Sequence, residues 1–364
     1  MSAWYEIVNS HEIASPALLI YPERVRQNIS RMLEMAHDPA RVRPHVKTHK
    51  MAEIVQMQLS AGISQFKCAT IAEAEMVAAC GALDVLLAYQ PVGPNIERMG
   101  RLVARYPSTR FSALADDAQT VTNLEAAGVR IGLYLDIDCG MHRSGILPGR
   151  MAEALYRRIR ESSVVWAAGL HLYDGHIKSG TVAERQRAVE EAFAALAELR
   201  ERLESQGWRV PQIVVGGSPT FGIHAQQADY QCSPGTTLLW DGSYEMKFPE
   251  MGFLQAAIVL TRVISKPASD LLCLDLGYKA VSADNTNPRV LFPELPDAEM
   301  QVHSEEHLTV RTRRANQFGL GDALYGIPWH VCPTVALYSE AVVVRDGKAG
   351  ERWKVAARDR VLSI

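Results

Sequence analysis

The chain predicts an α/β fold, a (β/α)8 barrel of TIM type followed by a mostly β C-terminal domain, and three observations predict it. Short apolar runs alternate with helix-period segments from about residue 14, the pattern of β/α units built on a parallel sheet. Eight such runs occur before about residue 240, the number that closes a barrel. Beyond about Tyr244 the helical period gives way to alternating or β-rich stretches broken by turns, as in sheets with one wet face. The expected domains are therefore 14–244 and 245–364, with some of residues 1–13 candidates to join the second.

Taken in order, the barrel strands are expected at 17–21, 42–47, 65–70, 84–89, 110–115, 129–137, 164–172 and 212–215. Each is a run rich in Val, Ile, Leu, Ala or aromatic residues of the length a buried strand needs. Between them, 51–59, 72–79, 96–104, 118–127, 151–160 and 184–203 repeat apolar residues at intervals of three and four, the stripe of an amphipathic helix. In the second domain, strands are expected at 256–263, 271–276, 307–311 and 341–344, with turns at Pro267, Pro296-Asp297 and Asp346-Gly347. A doubly wound sheet is the alternative fold, but no G-x-G-x-x-G follows the first strand.

Composition narrows the function. With 364 residues, 48% hydrophobic and 22% charged, the chain has the make-up of a globular enzyme. A net charge of −3 without a basic block argues against nucleic acid as a partner. Neither a signal-type N-terminus nor a membrane-length apolar run is visible, so a cytoplasmic protein with no membrane association is expected. Six cysteines lie far apart without C-x-x-C pairs, which reads as reduced thiols.

The chemistry gathers where strands should end. Lys47 stands in Arg43-Pro44-His45-Val46-Lys47-Thr48-His49-Lys50, where cationic neighbours and burial would both favour the neutral amine of a Schiff-base lysine; by local composition alone the motif reads more readily as a solvated basic turn. Arg143 follows the sixth strand and Tyr173-Asp174-Gly175-His176 the seventh. Gly216-Gly217-Ser218-Pro219-Thr220 follows the eighth, with Gly235-Thr236 soon after. The two glycine-containing turns can aim N–H groups and a hydroxyl at a phosphate, as barrels do after their last strands. A lysine, an arginine and a phosphate cradle on one rim describe pyridoxal phosphate held as an imine. His176 is a candidate base at near-neutral pH, or else a core histidine; Tyr173 packs on the cofactor or simply on the rim. His330-x-Cys332, if extended, points imidazole and thiolate to one side and can grip a divalent ion; its plain alternative is a packed histidine and a core thiol. Asp275, Lys279, Asp284, the Glu305-Glu306 pair and His307 rank below these.

These segments, with Cys139-Gly140-Met141-His142-Arg143-Ser144-Gly145, Ser233-Pro234-Gly235-Thr236, Leu274-Asp275-Leu276-Gly277-Tyr278-Lys279, Ser304-Glu305-Glu306-His307 and His330-Val331-Cys332-Pro333-Thr334, run in order through nearly the whole chain. Together they resemble the fold-type III pyridoxal-phosphate family of D-threonine aldolases and D-serine dehydratases, relatives of the alanine racemases. The resemblance implies that Lys47 joins the cofactor, that Arg143 neighbours its ring oxygen, and that Gly217, Ser218, Thr220, Gly235 and Thr236 surround its phosphate. Many relatives carry an aromatic residue where Thr237 stands, so the contact to the pyridine nitrogen differs here. It also implies a metal, zinc or manganese, at His330 and Cys332, and a homodimer. Two outcomes on a D-β-hydroxy amino acid compete. Aldol cleavage to glycine and an aldehyde is favoured by Tyr173-Asp174-Gly175-His176; elimination to a 2-oxo acid and ammonia, from D-serine or D-3-hydroxyaspartate, is favoured by Cys332. A racemase and a non-catalytic cofactor carrier are the further alternatives.

Overall fold

The computed structural model describes residues 3–178 and 180–364. Two compact units emerge: a barrel unit made of Met32–Lys47, Val55–Gly235 and Asp359–Ile364, and a β-rich unit made of the residues up to Arg31, Thr48–Ile54 and Thr236–Arg358. The units thus interleave along the chain, unlike the simple division at 244.

The first predicted strand belongs elsewhere. β1 (Ala17–Ile20) pairs antiparallel with 257–260 and parallel with Val342 and Val343, inside the β-rich unit. Its four apolar residues are all buried, and such a run suits a two-sided position in either sheet, so periodicity cannot choose between them.

In the barrel unit, β2 (Gln65–Cys68), β3 (Asp84–Leu87), β4 (Arg110–Ala115), β5 (Gly132–Ile137), β6 (Trp166–Leu172), β7 (Ile213–Val215) and β8 (Tyr230–Cys232) form a parallel sheet in that order. The sheet curls until segment 42–47 spans its two edges. Val42 bridges Cys232 and His45 bridges Lys67, with Arg43 N–H to the Cys232 carbonyl at 2.8 Å and Lys67 N–H to the Pro44 carbonyl at 2.9 Å. Pro44 has no N–H to give, which leaves this eighth stave with bridges in place of a regular ladder. β8, absent from the sequence expectation, fills the place left by 17–21; three residues are too few for a period to register. β3 and β5 are buried along their whole length, as parallel strands covered on both faces must be. Helices start on side-chain caps. Thr70 accepts from Glu73 N–H before Ile71–Ala79, and Thr181 with Glu184 forms a capping box at the head of Val182–Ser205.

In the β-rich unit, β9 (Ala257–Ala268), β10 (Leu271–Leu274), β11 (Val290–Leu291), β12 (Glu299–His303), β13 (Leu308–Arg311), β14 (Ala323–Pro328), β15 (Glu340–Arg345) and β16 (Lys348–Lys354) join β1 in a nine-stranded sheet. β9 is its hub and sends alternate residues to two cores. Val259 and Val263 pack with Leu272, Leu274 and Leu308, whereas Ile258 and Leu260 pack with Tyr5, Tyr21 and Tyr325. Residues 3–13 contribute Tyr5, Ile7 and Ile13 to the second core without forming a strand. The predicted Asp346-Gly347 turn links β15 to β16 with φ of 50° and 70°, the left-handed pair of a tight hairpin. Among the described residues no helix is long and apolar enough to cross a membrane.

Candidate active site

Lys47 lies in the short 3-10 turn Val46–Thr48 that follows the closing stave, and its side chain is half-buried. Three cations surround one aromatic ring. The Lys47 and Lys67 amines stand 5.9 and 5.8 Å from the centroid of Tyr173, and the Arg143 guanidinium carbon 4.6 Å from it, within or near cation–π range. Tyr173 follows β6, and its ring sits so close to the next loop that a Cβ on Gly175 would come within 2.4 Å of it. A side chain at 175 would have to displace that ring. Arg143 and His176 are exposed. The loop carrying Arg143 is shaped by Asp138, which accepts from the Gly140 and His142 N–H groups at 3.0 Å each, and the His176 ring rests against Gly140.

The loop after β7 brings buried Ser218 to within 3.1 Å of Gly235 N–H, which donates to its hydroxyl, and Gly217 is seated against Tyr173. Two predicted phosphate side chains are turned elsewhere. Thr220 gives its hydroxyl to Asp174 at 2.9 Å, and His224 pairs with the other oxygen of that carboxylate at 2.6 Å; Asp174 is 1% exposed, and a buried carboxylate needs both partners. Thr236 directs its hydroxyl to the Cys332 sulfur at 3.5 Å. Both hydroxyls thus have protein partners. Thr237 is buried in the turn Thr236–Leu238.

Beneath Tyr173 lies a chain the sequence reading missed. Lys67 Nζ stands 3.5 Å from His171 Nε2, His171 Nδ1 stands 2.6 Å from Asp136, and Ser144 donates to the other Asp136 oxygen at 2.9 Å. Lys67, His171 and Asp136 are 2, 3 and 4% exposed. Burial, reinforced by repulsion from Lys47, lowers the Lys67 amine to about 7 against the pull of Asp136 and Asp174. Burial also lowers His171. It works the other way on Asp136, yet His171, Ser144 and Lys67 outweigh it and hold that carboxyl below its ordinary value. A usable signal was present for two of the three: Asp136 and His171 each interrupt an otherwise apolar parallel strand, where a polar or charged group is rare unless it has work or a partner. Such a pocket, cationic with buried hydroxyl and N–H groups on its rim, suits a phosphorylated, anionic cofactor beside an accessible amine.

A second cluster belongs to the β-rich unit. His330 and Cys332 do not share an extended strand: His330 is the N-cap of the helix Val331–Ala336, and Cys332 lies in its first turn. The two side chains nevertheless share a hydrogen bond. His330 Nδ1 bonds Asp284 at 2.6 Å, and Thr48 reaches the Cys332 sulfur at 3.2 Å. The helix start is held by Asp241, which accepts from Val331 N–H at 3.1 Å. Burial opposes charge on both groups, but it is outweighed: Cys332 and Asp284 raise His330 to about 9, and His330, Thr236 and Thr48 lower the Cys332 thiol. An imidazolium–thiolate pair is a donor set in which a divalent cation can replace the proton. Among the described residues no group of three or more His, Cys, Asp or Glu side chains is placed to hold a metal, so the fit is to a two-donor site with open positions, and Asp284 is the carboxylate that orients the imidazole. The other acidic and basic candidates serve differently. Asp275 accepts from Ser15 and Thr261 hydroxyls at 2.5 and 2.6 Å, Lys279 pairs with Glu305 on the surface at 2.6 Å, and His307 is exposed.

The curled parallel barrel and the β-rich unit each match a known domain. Residues 20–241 match the alanine racemase N-terminal domain and residues 256–344 the serine dehydratase domain, and the chain belongs to the family that combines them. It is 31% identical to the D-threonine aldolase of Arthrobacter sp, over 95% of this chain and 93% of that protein. It is 28% identical to the 3-hydroxy-D-aspartate aldolase of Paracoccus denitrificans, over 97% and 94%. The crystal structure of D-threonine aldolase from Filomicrobium marinum matches with a TM-score of 0.89 at 25% identity, over 97% of both chains.

Proposed function

We propose that the chain is a pyridoxal-phosphate- and divalent-metal-dependent lyase that cleaves D-configured β-hydroxy amino acids to glycine and an aldehyde. The observation that carries this reading is the half-buried Lys47 amine among the cations that ring Tyr173, in a chain similar along most of its length to two aldolases.

Lys47 is the residue that joins the cofactor, because its amine is accessible where that of Lys67 is enclosed. Arg143 would neighbour the cofactor ring oxygen, and Gly217, Ser218, Thr220, Gly235 and Thr236 would surround its phosphate. Pyridoxal phosphate, when bound, supplies a ring that withdraws the electrons released at the substrate α-carbon. His330 and Cys332 would hold the metal, which would supply Lewis acidity toward a substrate oxygen; a thiolate favours zinc over manganese. Asp284 fixes Nδ1 of His330 and so commits the other ring nitrogen to donation. His176, exposed on its loop, accepts the proton of the substrate β-hydroxyl. A homodimer is part of the same reading, and sedimentation tests it.

Elimination to a 2-oxo acid and ammonia is the second reading, favoured by the thiolate at position 332 and by the serine dehydratase domain; there Lys47 removes the α-proton. Incubation with D-threonine and D-serine separates the two. Glycine and acetaldehyde from D-threonine support the lead, whereas 2-oxo acid without glycine overturns it. Borohydride reduction of the yellow protein followed by peptide mapping tests the pocket itself, with the label expected on Lys47.

A further inference from the structure

The second lysine of the pocket has no part in the scheme above. β2 and β6 are not neighbours in the sheet, so the contact from Lys67 to His171 crosses the barrel interior. With His171 Nδ1 giving its proton to Asp136, Nε2 is the lone pair that receives Lys67. Asp136 is held in turn by Ser144. The amine is thus braced from below by a neutral ring and a carboxylate, while the charges facing it from above, Lys47 and Arg143, repel it. Asp174, the remaining anion that acts on it, is already matched by Thr220 and His224. With its amine lowered only to about 7, Lys67 keeps its proton once an anionic occupant arrives, and it then faces that occupant as a charge together with Lys47 and Arg143.

We propose that Lys67, braced by His171, Asp136 and Ser144, is an electrostatic positioning residue: it presents a third positive charge to the anionic cofactor and weakens the hold on the proton at the nitrogen that joins Lys47 to it. This rests on the reading of Lys47 given above. The charge acts by field and not by contact, so its loss changes a proton equilibrium and leaves the covalent attachment intact. A neighbouring cation disfavours a proton on that nitrogen. Removing the cation must then let the nitrogen keep its proton to higher pH.

The experiment is a pH titration of the visible absorption band of the cofactor-loaded protein, without substrate, for wild type, Lys67→Met, Lys67→Gln and Lys67→Arg. Each sample is also reduced with borohydride and mapped. The expected result is a midpoint raised by about one pH unit in the Met and Gln variants, the scale of one charge several ångströms away at a partly screened site, and a wild-type midpoint in the Arg variant. Lys67→Gln serves if Lys67→Met fails to fold. Midpoints unchanged in the uncharged variants, with the label still on Lys47, would overturn the proposal and leave the assignment of Lys47 standing. A wild-type label elsewhere than Lys47 would overturn that assignment instead.

Discussion

Arg43 and Lys67 are both buried cations of one barrel, and they are held in opposite ways. Arg43 is fully enclosed, with Nε on Gln231 at 2.6 Å, one terminal nitrogen on Asp84 at 2.5 Å and the other on Gln65 at 2.9 Å. Gln65 and Asp84 are the first residues of β2 and β3. Lys67 has a 3.5 Å contact to a histidine and two other cations around the tyrosine it faces. One charge is neutralised at the N-terminal ends of the strands, and the other is left under-matched toward the ends where Lys47, Arg143 and Tyr173 gather. Stability and chemistry occupy opposite ends of a parallel barrel, and the difference in hydrogen bonding tells which end is which.

The largest test of the chemical end is Lys47→Ala. It should remove the borohydride-fixed label and lower turnover on the order of a thousand-fold or more, with the urea midpoint unchanged. At the other end, Arg43→Met takes the enclosed guanidinium away from Asp84, Gln231 and Gln65 and should lower stability by about 3–5 kcal/mol, read from urea unfolding. Were Arg43→Met harmless, the contrast between the two cations would collapse. Asp284→Ala should weaken zinc binding by about 10–100-fold in a chelator competition, because His330 loses the carboxylate that orients it; equal affinity would take Asp284 out of the site.

Lys67→Met should change the free energy of unfolding in urea by no more than about 1 kcal/mol in either direction, since the amine it removes is poorly matched, and a loss as large as that from Arg43→Met would make Lys67 structural. The smallest effect carries the contrast into the β-rich unit. Burial lifts the Glu294 carboxyl to about 7, and its Oε2 has no partner among the described residues. The folded chain therefore holds that proton more tightly than the unfolded one, so stability is lost as pH rises from the ordinary glutamate range to about 7. Glu294→Gln should melt slightly higher than wild type at pH 8, and the gain should vanish near pH 4; an equal gain at both would refute the linkage.

Residues in local motifs were legible in the sequence because their signal is short-ranged. Lys47, Arg143, Tyr173, Gly217, Ser218, His330 and Cys332 were all singled out by neighbours within a few positions, and the structure gathers the first five at one barrel rim and pairs the last two. Contacts that cross the sheet were not legible. Lys67, His171 and Asp136 lie on three strands, and Asp284 reaches His330 from 46 residues away. Arg43 misled for the same reason: it is four residues from Lys47 in sequence, yet its guanidinium belongs to Asp84 and the strand starts.

By itself, the sequence determined the alternation of β and α segments, the change of texture near residue 244 and the side chains nominated for imine and metal chemistry, because periodicity and motif spacing are properties of a few adjacent residues. Tertiary structure alone decided that 17–20 leaves the barrel, that Tyr230–Cys232 with 42–47 closes it, and that Thr220 and Thr236 spend their hydroxyls on Asp174 and Cys332. Each of those outcomes turns on which distant group a short strand or a buried polar atom meets, and burial makes that partner obligatory.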